Sequence, residues 1–461
     1  MDHTTLFDLG LISKYDQSGP RYTSYPTAVQ FHEGFDEAAY KRVLSESNES
    51  GSPLSLYFHI PFCDTICFYC ACNKVATKDR SMAADYLRRV YEELRMQSAL
   101  IDPSRVVTQL HWGGGTPTFI SHAEMRELVA QTRKYFTLLD DDSGEYSIEI
   151  DPREAKGDTV KLLRELGFNR MSLGVQDFDE RVQKAVNRIQ TKQETLSVLQ
   201  AARDEGFRSM SIDLIYGLPF QSVESFASTL DQILEVDPDR LSVFNYAHLP
   251  ERFKPQRRIN DDELPPPQEK LDILQMTIDK LSSAGYVYIG MDHFAKPGDE
   301  LVKAQENGTL YRNFQGYSTH SDCDLIGLGA TSIGMVGPSY AQNMRSLDEY
   351  YQQIDSGHLP IYKGIELTRD DQIRRDVITR LICHFSLKMD SIEAEWGIEF
   401  RTYFADELNR LGSMQEDGLV AIGDQSIEVK PKGRLLIRNI CMQFDAYLNS
   451  QAARGSFSKV I

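Results

Sequence analysis

Four cysteines fall within ten residues, Cys63-Asp-Thr-Ile-Cys67-Phe-Tyr-Cys70-Ala-Cys72. The first three follow the spacing C-x3-C-x2-C. Three thiolates on one tight loop can hold three irons of a [4Fe–4S] cube and leave the fourth iron without a protein ligand. Electron-carrying cubanes use four thiolates. A three-thiolate cluster has an open iron that can bind S-adenosylmethionine and cleave it reductively to a radical. Cys63, Cys67 and Cys70 are therefore the expected iron ligands, and Cys72 departs from that three-thiolate logic. Zinc would prefer paired C-x2–4-C halves with a distant second pair, and the sequence has no such pair.

Further residues could serve the same chemistry. Tyr69 lies inside the cysteine loop, where an aromatic ring can stack on adenine. Tyr57 and His59 are two apart just upstream, so on a strand they share a face. Gly113-Gly-Gly-Thr-Pro117 follows an apolar run; glycines let backbone approach a ligand closely, and Gly114, Gly115 and Thr116 offer amides and carbonyls to an amino acid. Glu149, Gln176, Arg188 and Asp213 sit at or just past expected strand ends. Arg188 could pair a methionine carboxylate bidentately, and Asp213 could hold a ribose or an ammonium. Arg312, in Tyr311-Arg-Asn-Phe-Gln-Gly-Tyr317, is a candidate for gripping a substrate carboxylate. There is no Ser-His-Asp order, P-loop or G-x-G-x-x-G run.

The elements that must position these residues alternate. Strands are expected over Leu54–Ile60, Val107–Trp112, Tyr146–Ile150, Arg170–Gln176, Ser209–Tyr216 and Leu241–Tyr246. Helices are expected over 83–100, 121–135, 159–166, 191–205, 225–236 and 268–283, the second with a capping box of Ser121 and Glu124. Such alternation means parallel strands with crossover helices, and active sites lie at the C-terminal ends of such strands. Six units are fewer than a closed barrel needs, so the expected fold is α/β: an open, partial (β/α)6 barrel of the TIM type over 51–365. Residues 1–50 read as an N-terminal arm, with Tyr15, Tyr22, Tyr25 and Arg21 in a Gly- and Pro-containing stretch. Residues 366–461 read as a mostly helical domain. It has helices over 368–383, 391–396 and 400–411, a hairpin over 419–422 and 426–430, and a final helix over 432–448.

The chain has 461 residues, seven cysteines and a net charge of −18. Cys323, Cys383 and Cys441 stand alone, no disulfide framework is visible, and a reducing, cytoplasmic setting is expected. The start lacks a basic region followed by an apolar run, so no signal peptide is expected, and no stretch approaches a membrane span. The acidic balance argues against nucleic acid as a partner; a small anionic substrate needs only a local concentration of Arg and Lys.

Together the segments resemble the radical S-adenosylmethionine, oxygen-independent coproporphyrinogen III oxidase (dehydrogenase) family of haem biosynthesis. The resemblance is carried by Gly19-Pro-Arg-Tyr-Thr-Ser-Tyr-Pro-Thr27, His59-Ile-Pro-Phe-Cys63, Cys67-x-x-Cys70-x-Cys72, His111-Trp-Gly-Gly-Gly-Thr-Pro117, Gly174-Val-Gln-Asp-Phe178, Ile212-Asp-Leu-Ile-Tyr-Gly-Leu-Pro219, Gly290-Met-Asp-His-Phe294, Arg312-Asn-Phe-Gln-Gly-Tyr317 and Gly433-Arg-Leu-Leu-Ile-Arg-Asn-Ile-Cys441. The arm and Cys72 separate it from the related haem chaperones, the main alternative. A ring-opening, haem-degrading methyltransferase and a plain electron carrier are further ones. The resemblance implies decarboxylation of two propionates of coproporphyrinogen III to vinyls, giving protoporphyrinogen IX, with a [4Fe–4S] cluster and two S-adenosylmethionines per active site. Tyr57, Gly114, Glu149 and Ile333 would line the first, and Tyr69, Gly115, Thr116, Gln176, Arg188, Asp213 and Ala247 the second. Ile333 and Ala247 are nominated by the resemblance alone. Cys72 takes a supporting role, and Tyr57, His59, Cys72 and Arg312 are the catalytic candidates. The implied partners are the porphyrinogen and an electron-donor protein such as a flavodoxin or ferredoxin, with the chain acting as a monomer.

Overall fold

The computed structural model describes residues 7–448, Phe457 and Lys459. The chain forms two compact units. One is built from residues 31–273 and 322–366, the other from 274–321 with the described parts of 1–30 and 367–461.

In the first unit, β1 (Leu54–Ile60), β2 (Val106–Gly114), β3 (Glu145–Ile150), β4 (Arg170–Gln176), β5 (Ser209–Tyr216) and β6 (Arg240–Asn245) are parallel and lie side by side in chain order. Two of the helices between them begin at capping boxes, Ser121 with Glu124 and Thr191 with Glu194. Such caps contribute about 1 kcal/mol apiece. On the other side of β1 lies a seventh parallel strand, β7 (Asp324–Leu328), followed by antiparallel β8 (Ile333–Val336), β9 (Ser339–Asn343) and β10 (Ile361–Glu366). The sheet does not close on itself, as the six-unit count predicts. The four added strands escape the sequence reading for a physical reason. All five residues of β7 are buried, so it has no alternation to see, and β7, β8 and β10 carry glycines that weaken a strand signal.

The period-2 pattern of the parallel strands puts their polar residues on one face. In β3, Ser147 and Glu149 are half-buried while Tyr146, Ile148 and Ile150 are buried; β5 does the same with Ser211 and Asp213. Register aligns these faces: Tyr57 of β1 is opposite His111 of β2, and His111 is opposite Ser147 of β3. The other face carries the core, where Trp112 meets Phe58 and Phe168 edge-on.

The second unit contains the hairpin Tyr311–Asn313 and Gly316–Ser318. It also contains helix Arg369–His384, capped by Thr368, and helices Met389–Trp396 and Ala405–Glu416. The hairpin expected at 419–430 is joined by Ser386–Lys388 into three strands. The helix expected over 400–411 breaks at Phe404, whose ring packs against Phe400, Tyr403 and Phe444. The final helix expected over 432–448 is broken into short helical pieces, Pro431–Arg434, Ile437–Cys441 and the 3-10 turn Met442–Phe444. The cause is burial. Every residue from Ile437 to Cys441 is buried, which leaves no polar face for a surface helix. Arg438 and Asn439 spend their side chains on the carbonyls of Gly19, Pro20 and Tyr15, and this anchors the arm within the unit. Tyr22 donates to Asp445, and Arg21 pairs with Asp292.

Candidate active site

The cysteine loop leaves the C-terminal end of β1 and is closed by a short parallel pairing of Phe62–Cys63 with Val75–Ala76. The Gly115 N–H donates to the Ile60 carbonyl and the Thr116 N–H to the Phe62 carbonyl, each at 2.8 Å. A Cβ on Gly115 would stand 2.7 Å from the Phe62 carbonyl oxygen and 3.0 Å from Cys63 Sγ. Gly115 therefore has no room for a side chain: the glycine run is the floor of the loop. Farther out, Asn187 donates to the Ile66 carbonyl, Gln256 to the Tyr69 carbonyl, and Lys74 to the carbonyls of Cys70 and Cys72.

Cys63 and Cys67 are buried, Cys70 is half-buried and Cys72 is exposed. Thr116 Oγ1 donates to Cys63 Sγ at 3.6 Å. Arg188 Nη1 and Arg153 Nη2 stand 3.6 and 3.9 Å from Cys67 Sγ. Both guanidiniums also pair with Asp151, at 3.1 and 2.6 Å. Two cations thus face one carboxylate and one sulfur, a set that is electrically balanced once Cys67 is a thiolate. Burial pushes the Cys63 thiol up to about 11. The hydrogen bond between Cys70 and Cys72 lowers the former and raises the latter. Three thiols on one loop, with cationic and hydroxyl donors aimed at two of them, fit an anionic thiolate-ligated cluster.

Beside the loop, β1–β3 build a polar chain. Tyr57 stacks on His111 with ring centroids 5.8 Å apart. His111 Nδ1 meets Ser147 Oγ at 2.6 Å, and Nε2 meets Glu149 Oε1 at 3.3 Å. The Gly114 N–H donates to Glu149 Oε2 at 3.0 Å. Burial opposes ionisation of Glu149, but His111 and the Gly114 N–H outweigh it and hold its pKa below the ordinary value. The Glu149 side chain stays 46% exposed, so its carboxylate is accessible. His59 is buried, with Nε2 3.1 Å from the Asn73 carbonyl and Nδ1 3.1 Å from Tyr57 Oη. A carbonyl can only accept, which puts the proton on Nε2. His59 is thus a neutral strut between β1 and the exit of the cysteine loop, and burial lowers its pKa accordingly.

The remaining residues fall around this core. Gln176 ends β4 in a left-handed conformation, φ 69°, which costs about 1–3 kcal/mol for a residue other than glycine. Arg188 Nη2 donates to the Gly174 carbonyl in the same turn. Tyr69 lies close to Arg188 and Cys67 and packs with Phe68 on Val182, Val186 and Leu218. Ile333 opens β8; Gly327, opposite Tyr57 in the register, lies against its backbone. Ala247 follows β6 by two residues, between Tyr246 and His248, whose hydroxyl and Nδ1 are 2.7 Å apart. Asp151, Arg153, His111 and Lys74 were not singled out as site residues from the sequence. Asp151-Pro-Arg153 directly follows β3, and a charged pair at that end of a parallel strand was the available signal.

Asp213 accepts from Ser172 Oγ at 2.8 Å. Burial pushes its carboxyl up to about 6, against the hydrogen bonds of Ser172 and Ser242. An unfolded aspartate titrates near ~3.9, so the native state binds this proton more tightly. The stabilisation is therefore full below ~3.9 and lost as pH rises through about 6. Asp213→Asn is expected to stabilise the metal-free protein by about 1–2 kcal/mol at pH 7.5 and by much less at pH 5. Urea unfolding at the two pH values checks this; a gap that does not widen with pH contradicts it.

In the second unit, Arg312 is 6% exposed, and its Nε and Nη1 have no partner among the described residues. The Tyr317 ring lies 4.8 Å below its guanidinium. Gln315 Nε2, in the turn of the same hairpin, also lacks a partner among the described residues.

Comparison with known proteins supplies the rest. Residues 57–233 match the radical SAM superfamily model, and 367–436 match the HemN C-terminal domain. The oxygen-independent coproporphyrinogen III oxidase of Pseudomonas aeruginosa is 57% identical over 99% of both chains. The chain belongs to this family. The Escherichia coli family member is 52% identical over 99% of this chain and 98% of its own. A solved structure, titled coproporphyrinogen III oxidase from Escherichia coli as a radical SAM enzyme, superposes with a TM-score of 0.92. It covers 96% of this chain and 99% of that one at 51% identity. Membership makes the chain a radical S-adenosylmethionine oxidoreductase with a [4Fe–4S] cluster, the chemistry that the cysteine spacing indicates. No helix among the described residues is long and apolar enough to cross a membrane.

Proposed function

We propose that the chain oxidatively decarboxylates two propionates of coproporphyrinogen III to vinyls without oxygen, giving protoporphyrinogen IX. The observation that carries this is the cysteine loop seated on the glycine run, with Arg153, Arg188 and Asp151 balancing one thiolate, in a chain 57% identical to a coproporphyrinogen III oxidase. Cys63, Cys67 and Cys70 hold the cluster, which supplies an open iron and the electron for cleaving S-adenosylmethionine. Glu149 and the Gly114 backbone receive the amino-acid end of the first S-adenosylmethionine, with Tyr57 and Ile333 beside it. Tyr69, Gly115, Thr116, Gln176, Arg188, Asp213 and Ala247 line a second. His59 braces the loop, and Cys72 supports Cys70. Arg312 holds a propionate.

Each propionate gives one hydrogen atom to the 5′-deoxyadenosyl fragment, then loses carbon dioxide and one electron to an acceptor, and a vinyl remains. A flavodoxin- or ferredoxin-type protein supplies the cleaving electron, and the chain works as a monomer in the cytoplasm.

Anaerobic turnover with reductant, S-adenosylmethionine and coproporphyrinogen III, followed by mass spectrometry, tests the reading. The expected result is protoporphyrinogen with 5′-deoxyadenosine in about a 1:2 ratio. Deoxyadenosine without porphyrin product, together with tight haem binding, would instead indicate a haem chaperone.

A further inference from the structure

Glu93 is a fully buried carboxylate on helix Ser81–Ser98. No cation pairs with it among the described residues; three neutral donors hold it. The Gly329 N–H and Tyr350 Oη donate to Oε2 at 2.8 and 2.6 Å, and Asn343 Nδ2 donates to Oε1 at 2.7 Å. Burying a carboxylate without a counterion is costly, and burial accordingly pushes its pKa up to about 7. A structural brace of this shape could be apolar, so the carboxylate needs a reason.

The reason lies in what its donors fix. Gly329–Ser332 is the turn between β7 and β8. Within it Thr331 adopts φ 64°, a left-handed conformation that is strongly disfavoured for a β-branched residue. Such strain persists only where the surroundings over-determine it. Here Glu93 grips the Gly329 N–H. Asn343, itself held by Glu93, donates to the Gly329 carbonyl and Ser332 Oγ, each at 3.0 Å. About two turns earlier on the same face of the helix, Tyr86 Oη accepts from the Ala330 N–H at 3.0 Å and donates to the His59 carbonyl at 2.6 Å. A single helix thus ties the turn to the root of the cysteine loop. Ile333, the next residue, enters β8 beside Gly327 and level with Tyr57. Ala330 shares a cavity of about 270 Å³ with Pro61, Asn73 and Lys74 of the loop.

We propose that Glu93 is a positioning residue for S-adenosylmethionine: its carboxylate locks the strained 329–332 turn and so places Ile333 against the ligand. This rests on the assignment above of Ile333 to the cluster-bound S-adenosylmethionine. Glu93→Gln is the informative variant. Gly329 N–H and Asn343 Nδ2 are both donors and approach different oxygens, so a glutamine amide opposes one donor with another in either orientation.

Reconstituted Glu93→Gln is expected to keep its iron content. Its dissociation constant for S-adenosylmethionine, measured by equilibrium dialysis, should rise about tenfold, the cost of one unsatisfied buried donor. The change in the cluster's EPR signal on adding S-adenosylmethionine should need correspondingly more ligand, while deoxyadenosine formation at saturation stays within about twofold of wild type. Tyr350→Phe, which removes one donor without an opposed pair, should shift affinity the same way and less. Unchanged affinity in both variants, with lowered thermal stability only, overturns the proposal, as does loss of iron in Tyr350→Phe. Wild-type protein that binds S-adenosylmethionine but forms no protoporphyrinogen would sink the substrate assignment and leave this one standing.

Discussion

Cys67→Ala is expected to leave a folded protein that has lost most of its iron and turns over at least about 10³-fold more slowly, at background. Two thiolates remain, too few to present a cube with a single open iron. The variant also uncovers the charge set behind the loop, because Arg153 and Arg188 keep only Asp151 as a counter-charge. Breaking a buried ion set by removing one partner typically costs about 3–5 kcal/mol. The melting temperature should therefore fall relative to the cluster-loaded wild type. Cys72→Ala provides the contrast: Cys72 is exposed, so iron should be retained. Iron and sulfide analysis, EPR and deoxyadenosine release read the outcome. Iron retained in Cys67→Ala and lost in Cys72→Ala would move the third ligand to Cys72.

Arg312→Met is expected to do two opposite things: raise thermal stability in the absence of substrate and raise the KM for coproporphyrinogen by about 30-fold or more. The first follows from the unpartnered Nε and Nη1 of a 6% exposed guanidinium. The Tyr317 ring compensates part of it, worth about 2 kcal/mol when desolvated, against several for burying a cation. A methionine of similar length removes that cost. The second follows because losing one member of a buried charge pair weakens binding by about 2–5 kcal/mol. The affinity for S-adenosylmethionine should not change. A variant that is destabilised, with an unaltered KM, would make Arg312 a structural residue and remove it from substrate recognition.

The sequence conveyed the parallel strands and the cysteine loop well because both depend on local rules. Ser121 and Thr191 cap where hydroxyl and Glu spacing say they must, and the period-2 faces of β3 and β5 place Glu149 and Asp213 together with no tertiary knowledge. What stayed hidden depends on partners distant in the chain. Arg153 and Asp151 matter because Arg188 and Cys67 come to meet them. Glu93 looks like one more acid on an amphipathic helix until Gly329, Asn343 and Tyr350 are placed around it. Residues 432–448 read as one helix, yet only short helical pieces form, and in the piece 437–441 every residue is buried, with Asn439 donating to the arm. Arg312 is visible in the sequence as a cation in an aromatic run, but only the fold shows that it is buried with Nε and Nη1 unpartnered among the described residues.

The division of the chain has a consequence for biosynthesis. The unit that carries the cysteine loop is complete once residue 366 has been made, whereas the other draws on 274–321 and on the described parts of 1–30 and 367–461. Translation runs from the N-terminus at about 5–20 residues per second, and domains tend to fold as units as they emerge. Segments 1–30 and 274–321 must therefore wait on the ribosome, apolar surface uncovered, until the last stretch arrives. A premature stop codon just after position 366 should yield a chain whose cysteine-bearing half has its own core but whose other half cannot assemble, a ready substrate for chaperones and proteases.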